Sequence, residues 1–370
     1  MLYRYEFSRL KWFLVAGLAL CGFVLLIFNS GCQMDNIEWS VSENTFLNRF
    51  LFRGQFSYFG FSLTNYLEFF TLPAILFLGG MTVYQCSDYH KRTKREFMAS
   101  LPYTQQERFL AKLVAGVGTI TVYCLAFGIG VFGLRAYYYE WMMRSYLVFP
   151  EYKLILANDT WVHTLRTLLL LWLIMLAAYG IYLLLHSVVT NGIAASLMGV
   201  GVMLSPAWLA YQWCVYSEFL HPDPALPSDA WLEHHPAVTR LCKLFIGGGY
   251  YRDCFTVDPG ENSDLTILLL DFCSSGKVIA AVVVLLIVVV VVAWWINARQ
   301  DGARFGQVVP LTAARIVIGV GMAVCFGTAI TRIALSVLQI ENVIAICFIL
   351  VAVCIGIYLL VDRILKRTVR

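Results

Sequence analysis

Histidine and carboxylate side chains gather in one polar stretch of this 370-residue chain, where their types would suit a divalent metal. They are His221, Asp223, Glu233, His234 and His235. Polar loops often contain such residues without binding metal, and none of the six histidines forms an HExxH pair. A GxSxG nucleophile motif is also missing. We therefore expect no catalytic site and no metal site. A membrane enzyme that depends on His234 or His235 is the third hypothesis for function.

Nucleotide binding of the Walker type needs GxxxxGK followed by Ser or Thr, so that backbone amides surround the phosphates. The nearest string, Ser275-Gly276-Lys277-Val278, lacks the first glycine and the hydroxyl residue. We expect this chain to bind no ATP and no Mg²⁺ and to hold no cofactor of its own. The net charge of +4 gives no indication of a nucleic acid partner.

The densest charge of the chain lies in residues 85–112, which we call the basic loop. Thr93 followed by Glu96 is a capping box, in which the hydroxyl and the carboxylate satisfy the first backbone donors of a helix. Pro102 ends that helix after about two turns, because the residue before a proline avoids helical geometry. Thr104 and Glu107 form a second box, which opens the next helix.

Two interpretations of the basic loop follow from its pattern. A two-turn helix is unstable alone in water, so Phe97, Met98 and Leu101 should be buried against the protein or a partner. Alternatively, the basic side chains hold the loop on anionic lipid, at about 1 kcal/mol for each contact. These basic side chains are Lys91, Arg92, Lys94 and Arg95. The pattern alone leaves both interpretations open.

The elements that position this loop are membrane spans. Sixty per cent of the residues are hydrophobic, 14% are charged, and the mean hydropathy is +0.72, which excludes a water-soluble core. An all-α polytopic transmembrane helical bundle is predicted, with about eight apolar runs long enough to cross a bilayer. The runs are residues 12–28, 66–84, 110–134, 164–186, 193–216, 278–296, 316–338 and 343–361. Short turns make the fourth and fifth spans one helical hairpin, and the last two another.

Orientation follows from the basic residues. Sixteen Lys and Arg lie in the two termini and in the loops after the second and sixth spans, against ten on the other side. Both termini are therefore predicted to be cytoplasmic, in a plasma membrane that fits a bacterial cell. The first residues, 1–11, look like an amphipathic surface helix, although Arg4, Arg9 and Lys11 before an apolar run also suit a signal peptide. Asn29 disfavours a lipoprotein cleavage site at the end of that run.

Two further predictions concern the outer side of the membrane. The long outer loop 217–277 is predicted to form an external cap, and one disulfide could form among Cys242, Cys254 and Cys273 if the loop faces an oxidising side. Arg332 lies inside an apolar run and either extends to the outer interface near Glu341 or contacts a substrate.

The basic loop resembles the first cytoplasmic loop of type-two ABC transporter permeases. The resemblance rests on the basic run, Glu96-Phe97, Ser100-Leu101-Pro102, Glu107-Arg108 and Ala111-Lys112-Leu113. It extends to Tyr5-Glu6-Phe7 and Arg9-Leu10-Lys11-Trp12 before the first span, and to Arg299, Asp301 and Gly302 after the sixth. Eight spans depart from the family's usual six.

The resemblance implies an exporter subunit without enzyme activity of its own, coupled to a separate cytoplasmic ATPase chain that holds ATP and Mg²⁺. Its partners would be that ATPase, a second permease, either identical or related, and the lipid bilayer. The residues implied in ATPase coupling are Arg95, Glu96, Phe97, Met98, Leu101 and Pro102. The implied parts are a surface helix 1–11, a permease core 12–296, a cytoplasmic loop 297–315 and an added hairpin with a basic tail, 316–370. The second hypothesis is a polytopic scaffold or sensor whose outer loops bind a ligand without transport.

Overall fold

The chain forms long α-helices in all the larger parts that the structure describes. The computed structural model describes residues 2–34, 59–90, 100, 102–148, 160–220, 242, 244–246, 275–299, 312–338 and 343–366. Within these ranges the helices are α1 (Leu2–Met34), α2 (Phe59–Gln85), α3 (Ser87–His90), α4 (Gln105–Val148), α5 (Trp161–Val188), α6 (Gly192–Leu220), α7 (Ser275–Arg299), α8 (Thr312–Leu338) and α9 (Val343–Lys366), with one 3-10 turn at Leu244–Ile246.

Seven of these helices are long and apolar enough to cross a membrane: α1, α4, α5, α6, α7, α8 and α9. The chain is therefore a polytopic helical membrane protein, as its composition predicts. The predicted second span falls in α2, where the described apolar stretch, Phe69–Gln85, is shorter than in the other seven. Among the described residues, seven helices are full-length candidate spans, and the sequence predicts about eight.

The chain divides into two compact units, and the first comprises residues 1–74, 111–176 and 246–283. In this unit α1 and α4 run parallel, because successive contacts advance along both helices. Lys112 Nζ lies 2.9 Å from Glu6 Oε1, the Tyr123 hydroxyl donates to the Phe13 carbonyl at 2.6 Å, and the Tyr138 hydroxyl donates to Asn29 at 2.8 Å. Two spans separated by one other span must run in the same direction, so this packing agrees with the predicted topology.

Residues 2–11, which belong to the predicted surface helix, form the first turns of α1. The first turns continue without a break into the first span, as the single helix α1. Leu2, Glu6 and Leu10 are buried along one face, whereas Tyr5 and Trp12 are exposed. The buried Glu6–Lys112 ion pair holds this stretch against α4.

The second unit comprises residues 75–110, 177–245 and 284–370. Tyr182 of α5 fills space left by two glycines: a Cβ on Gly79 of α2 would lie 3.0 Å from its hydroxyl oxygen, and one on Gly199 of α6 would lie 2.6 Å from its ring. The Tyr182 hydroxyl donates to the Ile75 carbonyl at 3.0 Å. Contacts between α5 and α6 confirm the first predicted hairpin. The small residue Gly199 permits the two helices to approach each other closely.

The second predicted hairpin, α8 with α9, is also confirmed. Gly319 and Gly327 form a small-residue ridge on α8 that faces α9, since a Cβ on Gly319 would meet Tyr358 at 3.2 Å and one on Gly327 would meet Cys354 at less than ordinary contact distance. At the open end of the hairpin, Asp362 of α9 pairs with Arg315 of α8 at 3.1 Å. The ridge therefore packs within the chain, where it brings two helices together.

Candidate functional site

The basic loop is described at both ends but not in its middle. Thr93, Arg95, Glu96, Phe97, Met98 and Leu101 lie outside the described residues, so their predicted roles stay predictions. Pro102, Thr104 and Glu107 are described. We call residues 87–90 the His90 end and residues 102–108 the Thr104 end. The geometry of these two ends defines how residues 91–101 are joined to the membrane helices.

The Thr104 end is held by local hydrogen bonds. The Thr104 amide donates to Glu107 Oε2 at 2.8 Å, and the Glu107 amide donates to Thr104 Oγ1 at 3.2 Å. This reciprocal pair is the second capping box that the sequence predicts, and α4 begins at the next residue, Gln105. The Arg108 guanidinium donates twice to the Tyr103 carbonyl, at 3.2 and 2.9 Å. The helix start and the residue before it are thereby fixed together.

The His90 end is held by groups far away in the sequence. His90 Nδ1 lies 2.8 Å from the Thr190 carbonyl, in the turn between α5 and α6. Its Nε2 lies 2.8 Å from Nδ1 of His186, in the last turn of α5. Gly192 is necessary beside the ring, because a Cβ there would lie 2.8 Å from His90 Cδ2. The His90 side chain thus ties α3 to the α5–α6 hairpin.

The chain of contacts continues beyond His186. His186 Nε2 lies 3.1 Å from the hydroxyl of Ser196 on α6, and that hydroxyl lies 3.2 Å from the Gly79 carbonyl on α2. We call His90, His186 and Ser196 the histidine chain. It joins α3, α5, α6 and α2 through four successive polar contacts, in which His90 contacts α5 directly and is connected to α6 and α2 through His186 and Ser196.

The turn that carries Thr190 is itself well ordered by polar contacts. The Asn191 side chain accepts from the amides of Ile193 at 3.0 Å and Ala194 at 3.2 Å, as the N-cap of α6. The Asn297 amide of α7 donates to the Ser187 hydroxyl near the end of α5. These bonds fix the position of the α5–α6 turn, whose Thr190 carbonyl His90 contacts.

The electrostatics of the His90 end favour a neutral ring. Burial lowers the pKa of His90 below its usual 6.5, while the hydrogen bond to Thr190 and the charge of Asp88 act in the opposite direction. Asp88 lies two residues before His90 and is itself buried. A neutral imidazole donates through one nitrogen and accepts through the other, which is what a chain of this kind requires.

The histidine chain was not foreseen from the sequence. His90 and His186 are 96 residues apart, and His186 stands at the end of an apolar run with no motif around it. The presence of His90 within the basic loop is the one signal that the sequence offers. The pairing itself depends on how α3 meets α5.

Arg332 has a partner within the chain. Its Nη1 donates to the Tyr211 hydroxyl at 3.0 Å, and the guanidinium lies 5.1 Å from the centre of that ring. Neighbouring aromatic residues of α6 also bind α8: Trp208 donates to the Cys325 carbonyl at 3.1 Å, and Tyr216 to the Thr328 carbonyl at 2.9 Å. Glu341, the partner predicted from the sequence, lies outside the described residues. Arg332 therefore takes part in helix packing.

Of the residues predicted for metal or disulfide chemistry, Cys242 is described. Among the residues that the structure describes, no group of three or more His, Cys, Asp or Glu side chains could hold a metal ion. The predicted candidates around His234 lie outside this part of the chain. Cys242 has a free thiol, and burial raises its pKa. Cys254 and Cys273 are not among the described residues.

Comparison of the chain with protein-family models, with curated proteins and with solved structures finds no match.

Proposed function

We propose that this chain is the membrane-spanning permease subunit of an ATP-driven ABC exporter. A separate ATPase chain would supply ATP hydrolysis, and a second permease, identical or related, would complete the transport unit. In this proposal α2 is the eighth span, both termini are cytoplasmic, and residues 217–277 form an external cap in a bacterial plasma membrane. The cargo class would be a peptide, a drug or a lipid-like compound.

One observation supports the proposal most directly: the basic loop is joined to membrane helices at both ends. At the His90 end the histidine chain reaches α5 and α6 through contacts of 2.8 to 3.1 Å. At the Thr104 end the capping box continues into α4, a helix of 44 residues. A force applied to residues 91–101 would therefore reach long helices from either end, which a loop used for coupling requires.

The proposed mechanism assigns roles within the predicted coupling helix, residues 94–101. Phe97, Met98 and Leu101 form the apolar knob that enters a groove of the ATPase, and Arg95 and Glu96 contact the rim of that groove. Pro102 ends the helix, so that the knob has a defined length. When ATP closes the ATPase pair, the movement passes into the spans, and a site between the two permeases changes the side to which it opens.

The test is co-purification from the native host in a mild detergent. The tagged wild type and the Phe97→Asp/Leu101→Asp variant are purified, and ATP hydrolysis and accompanying subunits are measured. Charged side chains cannot enter an apolar groove without a large desolvation cost, so we expect the ATPase to be lost from the variant. A matched control is Gln105→Asp/Gln106→Asp, which adds the same charge at two exposed positions of the same loop.

The outcomes separate the hypotheses. An ATPase that accompanies the wild type and the control, but not the correctly folded knob variant, supports the permease proposal. A wild type that carries no ATPase in several mild detergents overturns it, and the scaffold or sensor hypothesis then takes its place. Retention of the ATPase by the knob variant would overturn the role of Phe97 and Leu101 alone.

A further inference from the structure

With both rings neutral, three of the four contacts of the histidine chain hold a hydrogen, and the fourth, between the Ser196 hydroxyl and the Gly79 carbonyl, holds none. The Thr190 carbonyl can only accept, so His90 Nδ1 carries a hydrogen, and its Nε2 has a free lone pair. That lone pair accepts the Nδ1 hydrogen of His186. His186 Nε2 is then an acceptor and receives the Ser196 hydroxyl hydrogen. These positions of the hydrogens follow from the acceptors that fix them.

One added proton can be accommodated without breaking the chain. His186 Nε2 would then donate to Ser196, whose hydroxyl turns to the Gly79 carbonyl at 3.2 Å. The facing nitrogens of His90 and His186 would share one hydrogen across 2.8 Å. A second proton cannot be accommodated, because two N–H groups and two positive charges would then face each other at that distance.

The surroundings make even the first proton unfavourable. Asp88 on α3 is the carboxylate whose charge acts on His90, and it offsets only part of the effect of burial. The α5–α6 turn and the first turns of α6, residues 187–199, contain no titratable side chain. Lys91 and Arg92 follow His90 in the sequence and lie outside the described residues. The closed chain thus gives a charged imidazole little solvation.

We call the state with the His90–His186 contact closed and the state without it open. The sign of the pH effect follows from the poorer solvation of a charged His90 in the closed state. Burial puts the pKa of His90 in the closed state below its usual 6.5, so protons bind more tightly to an open, solvated His90. The stabilisation of the closed state is complete above pH 6.5 and is lost as the pH falls below that value. Acid therefore favours separation of His90 from the α5–α6 hairpin.

We infer that the His90–His186 pair is a proton-operated latch, which holds the basic loop to the α5–α6 hairpin at neutral pH and releases it in acid. The latch would make the position of residues 91–101 sensitive to cytoplasmic acidification. This inference concerns the loop itself and holds whether or not the partner is an ATPase.

Limited proteolysis measures the release without any partner. Trypsin cleaves after Lys91, Arg92, Lys94 and Arg95, which follow the latch directly. Cleavage of the purified full chain in detergent is followed at pH 7.5 and pH 5.5, and each rate is divided by that of a synthetic peptide of residues 88–105 at the same pH. The division removes the pH dependence of trypsin itself.

For the wild type we expect the normalised cleavage rate to rise by up to about tenfold between pH 7.5 and pH 5.5, the limit set by an exposed histidine. The His90→Asn/His186→Asn variant cannot titrate at the latch, and its normalised rate should change by less than about twofold. The control His163→Asn removes a buried histidine at the other end of α5 and should behave like the wild type.

Two results would overturn the latch. If the normalised cleavage rate of the wild type does not change between the two pH values, the latch is excluded without reference to any variant. A double variant that keeps the full rise shows that other groups open the loop. If the double variant is misfolded by gel filtration, His90→Asn is used alone, because it removes the ring whose titration opens the latch, and its normalised cleavage rate should change by less than about twofold.

Discussion

The two ends of the basic loop are held by different kinds of contact. At the Thr104 end the bonded groups are three and five residues apart in the sequence. At the His90 end they are 96 and 100 residues apart. The Thr104 end can form as soon as α4 forms, whereas the His90 end forms only when α5 and α6 are already packed. Local contacts therefore fix where the loop ends, and long-range contacts decide what its beginning is attached to.

The largest expected effect comes from a long-range contact at the last residue of the basic loop. Lys112 is fully buried with its Nζ 2.9 Å from Glu6 Oε1. Lys112→Met would leave a buried carboxylate without its ammonium partner, and we expect a loss of about 3–5 kcal/mol of stability. Thermal unfolding in detergent, followed by fluorescence-detected gel filtration, measures it.

The control for that variant is Glu6→Gln/Lys112→Met, which removes both charges. Part of the lost stability should return, because no carboxylate then remains buried without Lys112, while the Arg9 guanidinium, 3.8 Å from Glu6 Oε1 in the wild type, keeps its charge. Equal instability of the single and double variants would mean that packing of the lysine stem, and not the charge, is what α1 and α4 require.

A smaller effect is expected from the His90 end. His186→Phe keeps an apolar ring of similar size but leaves His90 Nε2 without its bond to His186, at a cost of about 1–3 kcal/mol, while the Ser196 hydroxyl can still donate to the Gly79 carbonyl. Hydrogen exchange should become faster at residues 86–90 and stay unchanged at residues 104–108. Faster exchange at both ends would show that the two ends are coupled, contrary to the comparison above.

The Thr104 end should respond less and only locally. Thr104→Ala removes the hydroxyl that accepts from the Glu107 amide, and a lost N-cap costs about 1 kcal/mol. Faster hydrogen exchange is expected in the first turn of α4 alone. Thr104→Ser should restore the wild-type rate, since serine caps equally well. If alanine and serine behave alike, the capping box is not what fixes the start of α4.

The smallest effect is expected for Glu107→Gln. The amide oxygen can still accept from the Thr104 backbone, so only the interaction of the negative charge with the helix N-terminus is lost. We expect exchange rates in the first turn of α4 to change by less than about twofold. A change as large as that of Thr104→Ala would mean that the charge, and not the hydrogen bonds, stabilises this end.

The local features of the fold could be predicted from the sequence with good success. Apolar runs predict the seven long spans, short turns predict the two hairpins, and Thr104 with Glu107 predicts the start of α4. Each of these depends on residues within one or two helical turns or within one run. The location of residues 1–11 at the membrane surface stays a prediction; in the structure, residues 2–11 continue into α1, and Glu6 pairs with Lys112.

The contacts between helices could not be predicted in the same way. Gly319 and Gly327 indicate a close helix approach, but the sequence does not say that the partner residues are Tyr358 and Cys354. Arg332 indicates an unusual intramembrane charge, yet its partner is Tyr211, on a helix two positions earlier in the chain. In both cases the residue type shows that a partner is needed, and the packing selects it.

The sequence by itself determined that this chain is a polytopic helical membrane protein, where its helices lie and where the basic loop ends. These features depend on hydrophobic length and on capping, which act over a few residues. Only the tertiary structure decided that His90, His186 and Ser196 form one chain of hydrogen bonds, and that Glu6 neutralises Lys112. Buried polar groups must find partners, and which partner lies within 3 Å is settled by the packing of helices far apart in the sequence.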